Sequence, residues 1–140
     1  MEYVNEESFG VIPLRHIDDE WKVFVILHKQ GNHWGFPKGK GDSGEKPLES
    51  AKRELKEETG LIVEKLLLQE PIVEEYSFFR KGKKVQKKVC YFPAIVSGAL
   101  LLQREEIRDG KWLSFEEATG QLTFEEAKKN CLRVQELIQH

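Results

Sequence analysis

GKGDSGEKPLESAKRELKEETGL, residues 39–61, is the stretch from which the rest of the chain can be read. It places Gly39, then Glu45, then the unbroken run Arg53-Glu54-Leu55-Lys56-Glu57-Glu58-Thr59-Gly60-Leu61. At average residue frequencies a pattern with this many fixed identities arises by chance in a chain of this length on the order of once in ten million sequences. Pro47 suits the first turn of a helix, Leu48, Ala51 and Leu55 recur at the spacing of one buried face, and Thr59-Gly60 ends it. The spacing therefore predicts a helix of about three turns. Glu54, Glu57 and Glu58 fall on one arc of it, beside the apolar stripe. Acids at i, i+3 and i+4 repel by about 0.2–0.5 kcal/mol per pair, so a helix selected only for stability would rarely gather them. A cation is expected there.

Just before this stretch, His33-Trp34-Gly35-Phe36-Pro37-Lys38-Gly39-Lys40 sets aromatics beside glycines and a proline, a poor regular strand but a shaped wall. Trp34 and Phe36 are expected in the core. Lys38, between Pro37 and Gly39, is placed to hold a phosphate as a point charge. Upstream, residues 8–16 and 21–29 are rich in β-branched and aromatic residues and are separated by Asp18-Asp19, which predicts an antiparallel hairpin. Gly10 in the first run marks an edge, a bulge, a close backbone approach or simple room for packing.

Downstream, residues 61–75 read as one strand, or as two broken at Pro71, continued by residues 76–79. Residues 80–84 form a hairpin tip and residues 85–96 return as a long strand. This hairpin carries Arg80, Lys81, Lys83, Lys84, Lys87 and Lys88, either as guards of an exposed strand edge or as an attractor of polyphosphate. Residues 99–103 are expected as a short strand, 103–110 as a polar loop and 111–113 as another short strand. Ser114 with Glu117, and Thr123 with Glu126, have capping-box spacing, predicting a helix over residues 115–119 and a terminal one over 124–138. Phe124, Ala127, Cys131, Val134 and Ile138 fit one buried stripe of the latter.

The chain has 140 residues, 39% hydrophobic and 33% charged, a composition suited to one domain spanning residues 1–140. A net charge of -2 offers no global attraction to DNA or to a membrane surface. Cys90 and Cys131 lie far apart in apolar stretches, unlike a disulfide framework or a zinc site, and are expected as buried thiols. The first residues show no secretory signal, and no apolar run approaches membrane-spanning length, so a cytoplasmic location is expected.

Carboxylates crowded on a helix, after a glycine-rich loop and a fixed lysine, suit a hard divalent cation shared with a phosphate chain. Zinc is disfavoured because no histidine or cysteine set accompanies the acids. Ions bridging phosphate oxygens would neutralise the substrate and lower the pKa of a bound water, the design of a hydrolase.

Residues 39–61 resemble the Nudix box, the signature of hydrolases that cleave a nucleoside diphosphate linked to another moiety. The resemblance implies an α/β/α sandwich, a mixed sheet between helices, and magnesium as cofactor with manganese as a substitute. It implies Glu54, Glu57, Glu58 and the Gly39 carbonyl as metal ligands, Glu54 as candidate base, Arg53 as orienting partner of the glutamates and Glu45 as brace of the loop. The flanks, His33-Trp34, Pro37-Lys38-Gly39, Tyr91-Phe92, Glu106 ahead of Trp112-Leu113, and Glu116-Glu117-Ala118, resemble the asymmetrical diadenosine tetraphosphate hydrolases. That likeness implies Glu106, with Glu105 in reserve, in the metal site, Tyr91 stacked on a nucleobase, Lys38, His33 and Lys88 at the phosphates, and Tyr76 at the substrate. The implied reaction is magnesium-dependent hydrolysis of diadenosine tetraphosphate to ATP and AMP. Its partners would be a nucleotide or dinucleoside polyphosphate, and the protein a monomer or weak dimer. Nucleoside triphosphates, RNA 5'-ends and diphosphoinositol phosphates remain alternative substrates, and a non-catalytic nucleotide-sensing module is the third reading.

Overall fold

Alternating apolar side chains along the strands build one eight-stranded mixed sheet in the computed structural model, which describes residues 3–139. Strand β1 (Tyr3–Ile17) turns through Asp18 and Asp19, both at positive φ, into β2 (Glu20–His28). The expected hairpin forms, with Leu14 opposite Val23 and Ile17 opposite Glu20. Yet β1 begins well before residue 8, and its longest pairing is with a distant strand. It runs parallel to β7 (Lys83–Ser97) from Tyr3↔Lys84 to Leu14↔Ile95. A polar alternation such as Asn5, Glu6, Glu7 carries little strand signal by itself, and the partner supplies the ladder.

Strand β3 (His33–Gly35) pairs with β2, and β4 (Lys38–Lys40) pairs with β1, setting Gly10 opposite Lys38. A Cβ added at Gly10 would lie 2.3 Å from the Pro37 carbonyl oxygen and 2.8 Å from Lys38 Cβ. Of the readings open for Gly10, close backbone approach is the one realised, by the chain's own β4. Strands β5 (Ile62–Leu66) and β6 (Ile72–Arg80) are separate, divided near Pro71, and both pair with β7.

The strand expected over residues 99–103 is absent, and β8 (Ile107–Leu113) starts inside the expected loop, pairing with β2. The physical reason is helix α1 (Pro47–Thr59), whose last carbonyls need partners. Leu101 N–H donates to the Thr59 carbonyl at 2.9 Å and Gln103 N–H donates to that of Glu58 at 3.0 Å. The segment thus seals the helix end instead of joining the sheet. Gly60, at φ 82, closes the same helix as its left-handed cap.

Helix α1 covers one face of the sheet, and α2 (Phe115–Gln121) and α3 (Glu125–Gln139) cover the other. Neighbouring residues divide between the faces: Val11, Phe24 and Phe92 pack toward Ala51 and Leu55, while Ile12, Val25 and Val89 pack toward Ala118 and Val134. This is the expected α/β/α sandwich. Phe36 is fully buried, and both cysteines are free and buried. Ser114 and Glu117 form both bonds of their capping box. Thr123 does not cap α3 as expected, because the helix starts one residue later, at Glu125, and the Thr123 hydroxyl accepts the Trp34 N–H at 2.9 Å instead. Phe124 falls outside the buried stripe and is 57% exposed. Among the described residues no helix is long and apolar enough to cross a membrane.

The contact at Gly10 yields a stability prediction. Gly10→Ala should lower the unfolding free energy by about 1–3 kcal/mol, since the two nearest obstructing atoms, the Pro37 carbonyl oxygen and Lys38 Cβ, cannot rotate away. Urea titration of the variant against the wild type measures it.

Candidate active site

Arg53 joins the loop to the helix. Its Nε donates to Glu45 at 2.8 Å and its Nη2 to the Lys40 carbonyl at 2.9 Å, so the guanidinium holds both ends of the 40–45 loop. Its Nη1 donates to Glu54 Oε1 at 3.0 Å and to both oxygens of Glu57 at 3.2 Å. Glu45 in turn accepts the Asp42 N–H and the Ser50 hydroxyl, each at 2.8 Å. With Arg53 as its strongest donor, the Glu45 carboxyl is held down to about 2, so it is ionised at any ordinary pH. The orienting and bracing roles implied for Arg53 and Glu45 thus have a geometric basis.

Glu54 and Glu58, one helical turn apart, are turned inward, whereas Glu57 is not. The Glu54 side chain is 13% exposed and Glu57 54%, and Glu58 is buried. The Glu54 carboxylate lies against the α-carbon of Gly39, where an added Cβ would sit 2.2 Å from it. A larger residue at this position would push the movable end of the Glu54 side chain out of its place. Glu58 Oε1 accepts the backbone N–H of Lys38 at 2.9 Å, which ties the helix to β4. Burial, and then the neighbouring Glu54, push the Glu58 carboxyl up to about 8. Burial also raises Glu54, against the pull of Arg53.

Glu106, exposed on the loop that seals α1, is close enough to raise the pKa of both carboxyls. Of the two loop acids, Glu106 is the one whose charge bears on the cluster. Among the described residues no three side chains are already closed to metal-holding distances. The donor set nevertheless fits a hard cation: two half-buried or buried carboxylates, a third acid facing them and a backbone carbonyl at Gly39, all oxygen. A cation there would replace the proton that Glu58 otherwise retains. The expectation that all three helical carboxylates converge holds for Glu54 and Glu58, with Glu57 drawn outward by Arg53.

The lysines divide by strand parity. Lys38 is half-buried among Glu58, Glu74, Glu54 and Glu6, and burial lowers its pKa. Lys87, paired at 3.8 Å with Glu6, shares this environment, because desolvation and then Lys38 lower its own pKa. Lys88 is the adjacent residue on β7 and points to the opposite face, where it lines a groove beside Lys46 and Leu48 at the start of α1. Lys87, rather than the expected Lys88, therefore shares the environment of Lys38. The basic run was visible in the sequence, but its phase relative to Lys38 was not.

Of the expected substrate-binding rings, Tyr91 is the one the structure places elsewhere. Tyr91 is 4% exposed and meets Phe36 edge-on at 5.6 Å in the core, so it offers no face to a base. Tyr76 is 43% exposed and stacks on Phe78 at 6.1 Å. His33 stacks on His28 at 4.6 Å and meets Phe124 at 5.1 Å. Burial and then Lys38 lower the His33 pKa, which keeps the ring neutral at physiological pH. Phe124 is thus an exposed aromatic at the site that helical periodicity had assigned to the core. Its only local warning is that it precedes the first turn of α3, where the stripe need not hold.

Comparison with known proteins agrees with this geometry. The model of the NUDIX domain family matches residues 5–135. The chain is 36% identical over 116 residues to an asymmetrical bis(5'-nucleosyl)-tetraphosphatase of Rattus norvegicus, covering 80% of this chain and 78% of that one. It is also 36% identical over 84 residues to an RNA pyrophosphohydrolase of Bartonella bacilliformis, covering 59% of this chain and 41% of that one. Its fold is similar to the crystal structure of a C. elegans Ap4A hydrolase binary complex, with a TM-score of 0.73 at 22% identity over 95% of this chain and 97% of that one.

Glu58 gives the metal-free protein a defined pH dependence. Its folded pKa, about 8, exceeds the ordinary 4.5, so the folded state binds the extra proton. That contribution to stability is complete below the ordinary value and is lost as pH rises through the folded one. The melting temperature of the metal-free protein should fall between roughly pH 5 and pH 9, and Glu58→Gln should flatten that slope. Thermal scans across the range, with a chelator present, measure both.

Proposed function

Because this chain belongs to the NUDIX domain family and is a hydrolase with relatives that act on dinucleoside tetraphosphates, we propose that it hydrolyses diadenosine tetraphosphate to ATP and AMP with magnesium. The observation that carries this reading is the juxtaposition of the inward-turned Glu54 and Glu58 with Lys38 and Lys87, with Tyr76 opposite Lys87 and Phe124 against His33 beside Lys38. Inward carboxylates suit a cation, the lysines suit a phosphate chain, and the aromatics suit nucleobases.

Glu54, Glu58, Glu106 and the Gly39 carbonyl would hold a divalent cation. Such an ion supplies charge neutralisation on the phosphates and a lowered pKa for the attacking water. Lys38 and Lys87 bind phosphate oxygens as point charges, and their partial burial strengthens that attraction. Arg53 fixes Glu54 through Oε1, leaving Oε2 as the atom we assign to accept the proton of the attacking water. Glu57, the most exposed of the three helical acids, can leave Arg53 without desolvating a new charge. Tyr76 and Phe124 present ring faces on which a purine can stack, each such contact contributing about 1–3 kcal/mol.

A second reading, cleavage at a triphosphorylated RNA 5'-end, is favoured by the basic β6–β7 hairpin and by the similarity to an RNA pyrophosphohydrolase. The full chain incubated with magnesium in heavy-oxygen water should yield ATP and AMP from the dinucleotide. Glu54→Gln should reduce kcat by about a hundredfold or more while leaving the fold intact. Faster release of pyrophosphate from triphosphorylated RNA, under the same conditions, would give precedence to the second reading.

A further inference from the structure

Strand β6 is an edge strand for all of its nine residues. It pairs with β7 alone, in an unshifted register from Ile72↔Tyr91 to Arg80↔Lys83, so its other edge presents a straight row of backbone donors and acceptors. Exposed edges are usually shortened, bulged, interrupted by proline or guarded by charge, and between Ile72 and Arg80 the only one of these present is charge, on Glu74, Glu75 and Arg80. Two large apolar side chains on one face of the strand are also exposed, Val73 at 46% and Phe79 at 66%. The active-site reading uses neither of them. On the other face, Glu74 is bonded to Asn130 of α3, so helix and strand are already joined there.

The strand is polarised in charge, with Glu70, Glu74 and Glu75 toward its beginning and Arg80 and Lys81 at its end. Two such strands laid antiparallel would set the acidic end of each against the basic end of the other. Opposite residues in an antiparallel pair share a face, so a two-fold axis normal to the sheet allows only a few registers. With the axis at Glu75, that carboxylate would face its own copy. With the axis at Ser77, Val73 would face Lys81 and Glu75 would face Phe79. With the axis at Tyr76, Val73 lies opposite Phe79, Glu75 lies opposite Ser77, and no like charges stand opposite one another; Arg80 keeps its own bond to Glu6.

We propose that the free edge of β6 is the docking surface for a second copy of this chain, paired antiparallel about Tyr76 to continue the sheet through a symmetric dimer. The interface is isologous, so each exposed Val73 is covered by the other copy's Phe79 and the reverse. Tyr76, at the axis, is also one of the two aromatics assigned to the nucleobase, so the readout is association rather than catalysis.

Sedimentation of the full-length wild type over a concentration series should show a reversible monomer–dimer equilibrium. Phe79→Lys should raise the dimer dissociation constant by about tenfold or more, because the symmetry removes the apolar contact twice. Circular dichroism would verify that this variant folds. Mild oxidation should cross-link Tyr76→Cys to itself, since residues at the axis lie within about 4.5–5.5 Å, whereas Glu75→Cys should not cross-link to itself. A wild type that stays monomeric at every concentration would overturn the proposal and leave the edge to an extended peptide of another protein. A dimer insensitive to Phe79→Lys, with no Tyr76→Cys cross-link, would overturn it equally.

Discussion

Two carboxylates held together away from water are costly, and much of the structure is arranged around keeping Glu54 and Glu58 in that position. Helix α1 presents both toward Gly39, where the absence of a side chain leaves room for the Glu54 carboxylate. The Lys38 N–H and the Arg53 guanidinium each supply one partial compensation. Arg53 is itself fixed by Glu45 and by the Lys40 carbonyl, so the loop, β4 and the helix become one rigid unit. The residual electrostatic strain is carried mainly by Glu58, whose carboxyl rises to about 8. A site arranged in this way has a standing preference for a cation over an empty state.

The sheet delivers the remaining groups to this unit. Parallel pairing of β1 with β7 brings Glu6 beside Lys87 and Gly10 beside Tyr91. Antiparallel pairing of β4 with β1 then brings Lys38 into the same row. Lysines far apart in sequence thus face one another, and their mutual repulsion is offset by Glu6, Glu58 and Glu74. The α1 end is sealed by the segment that carries Glu106, because Leu101 and Gln103 satisfy carbonyls the helix cannot pair internally. One backbone requirement therefore positions a side chain for the chemistry. The same sheet leaves β6 with an unpaired edge, and its charge polarity runs along the strand rather than across it.

Local pattern made much of the fold legible. Apolar spacing marked α1, Asp18-Asp19 marked the β1–β2 turn, Pro71 marked the break between β5 and β6, and the Ser114–Glu117 spacing marked the start of α2. Each of these signals acts over a few residues and needs no distant partner. The readings that changed all depended on something remote. Residues 99–103 were claimed by the end of α1, Thr123 by the Trp34 N–H, and the N-terminal part of β1 by β7.

The amino-acid sequence by itself carried the signature from which the family, and through the family the sandwich, was expected, and the helical spacing that gathers Glu54, Glu57 and Glu58, because both follow from neighbours in the chain. Tertiary structure alone decided which groups meet at the site. Strand parity turns Lys87 rather than Lys88 toward Lys38, since a shift of one residue changes the face. Packing against Phe36 puts Tyr91 in the core, and the short entry to α3 leaves Phe124 exposed against His33. Arg53 holds Glu57 outward while the Lys38 N–H holds Glu58 inward, although the two are adjacent on one helix. These choices turn on phase and burial, which become defined only when the distant strands have paired.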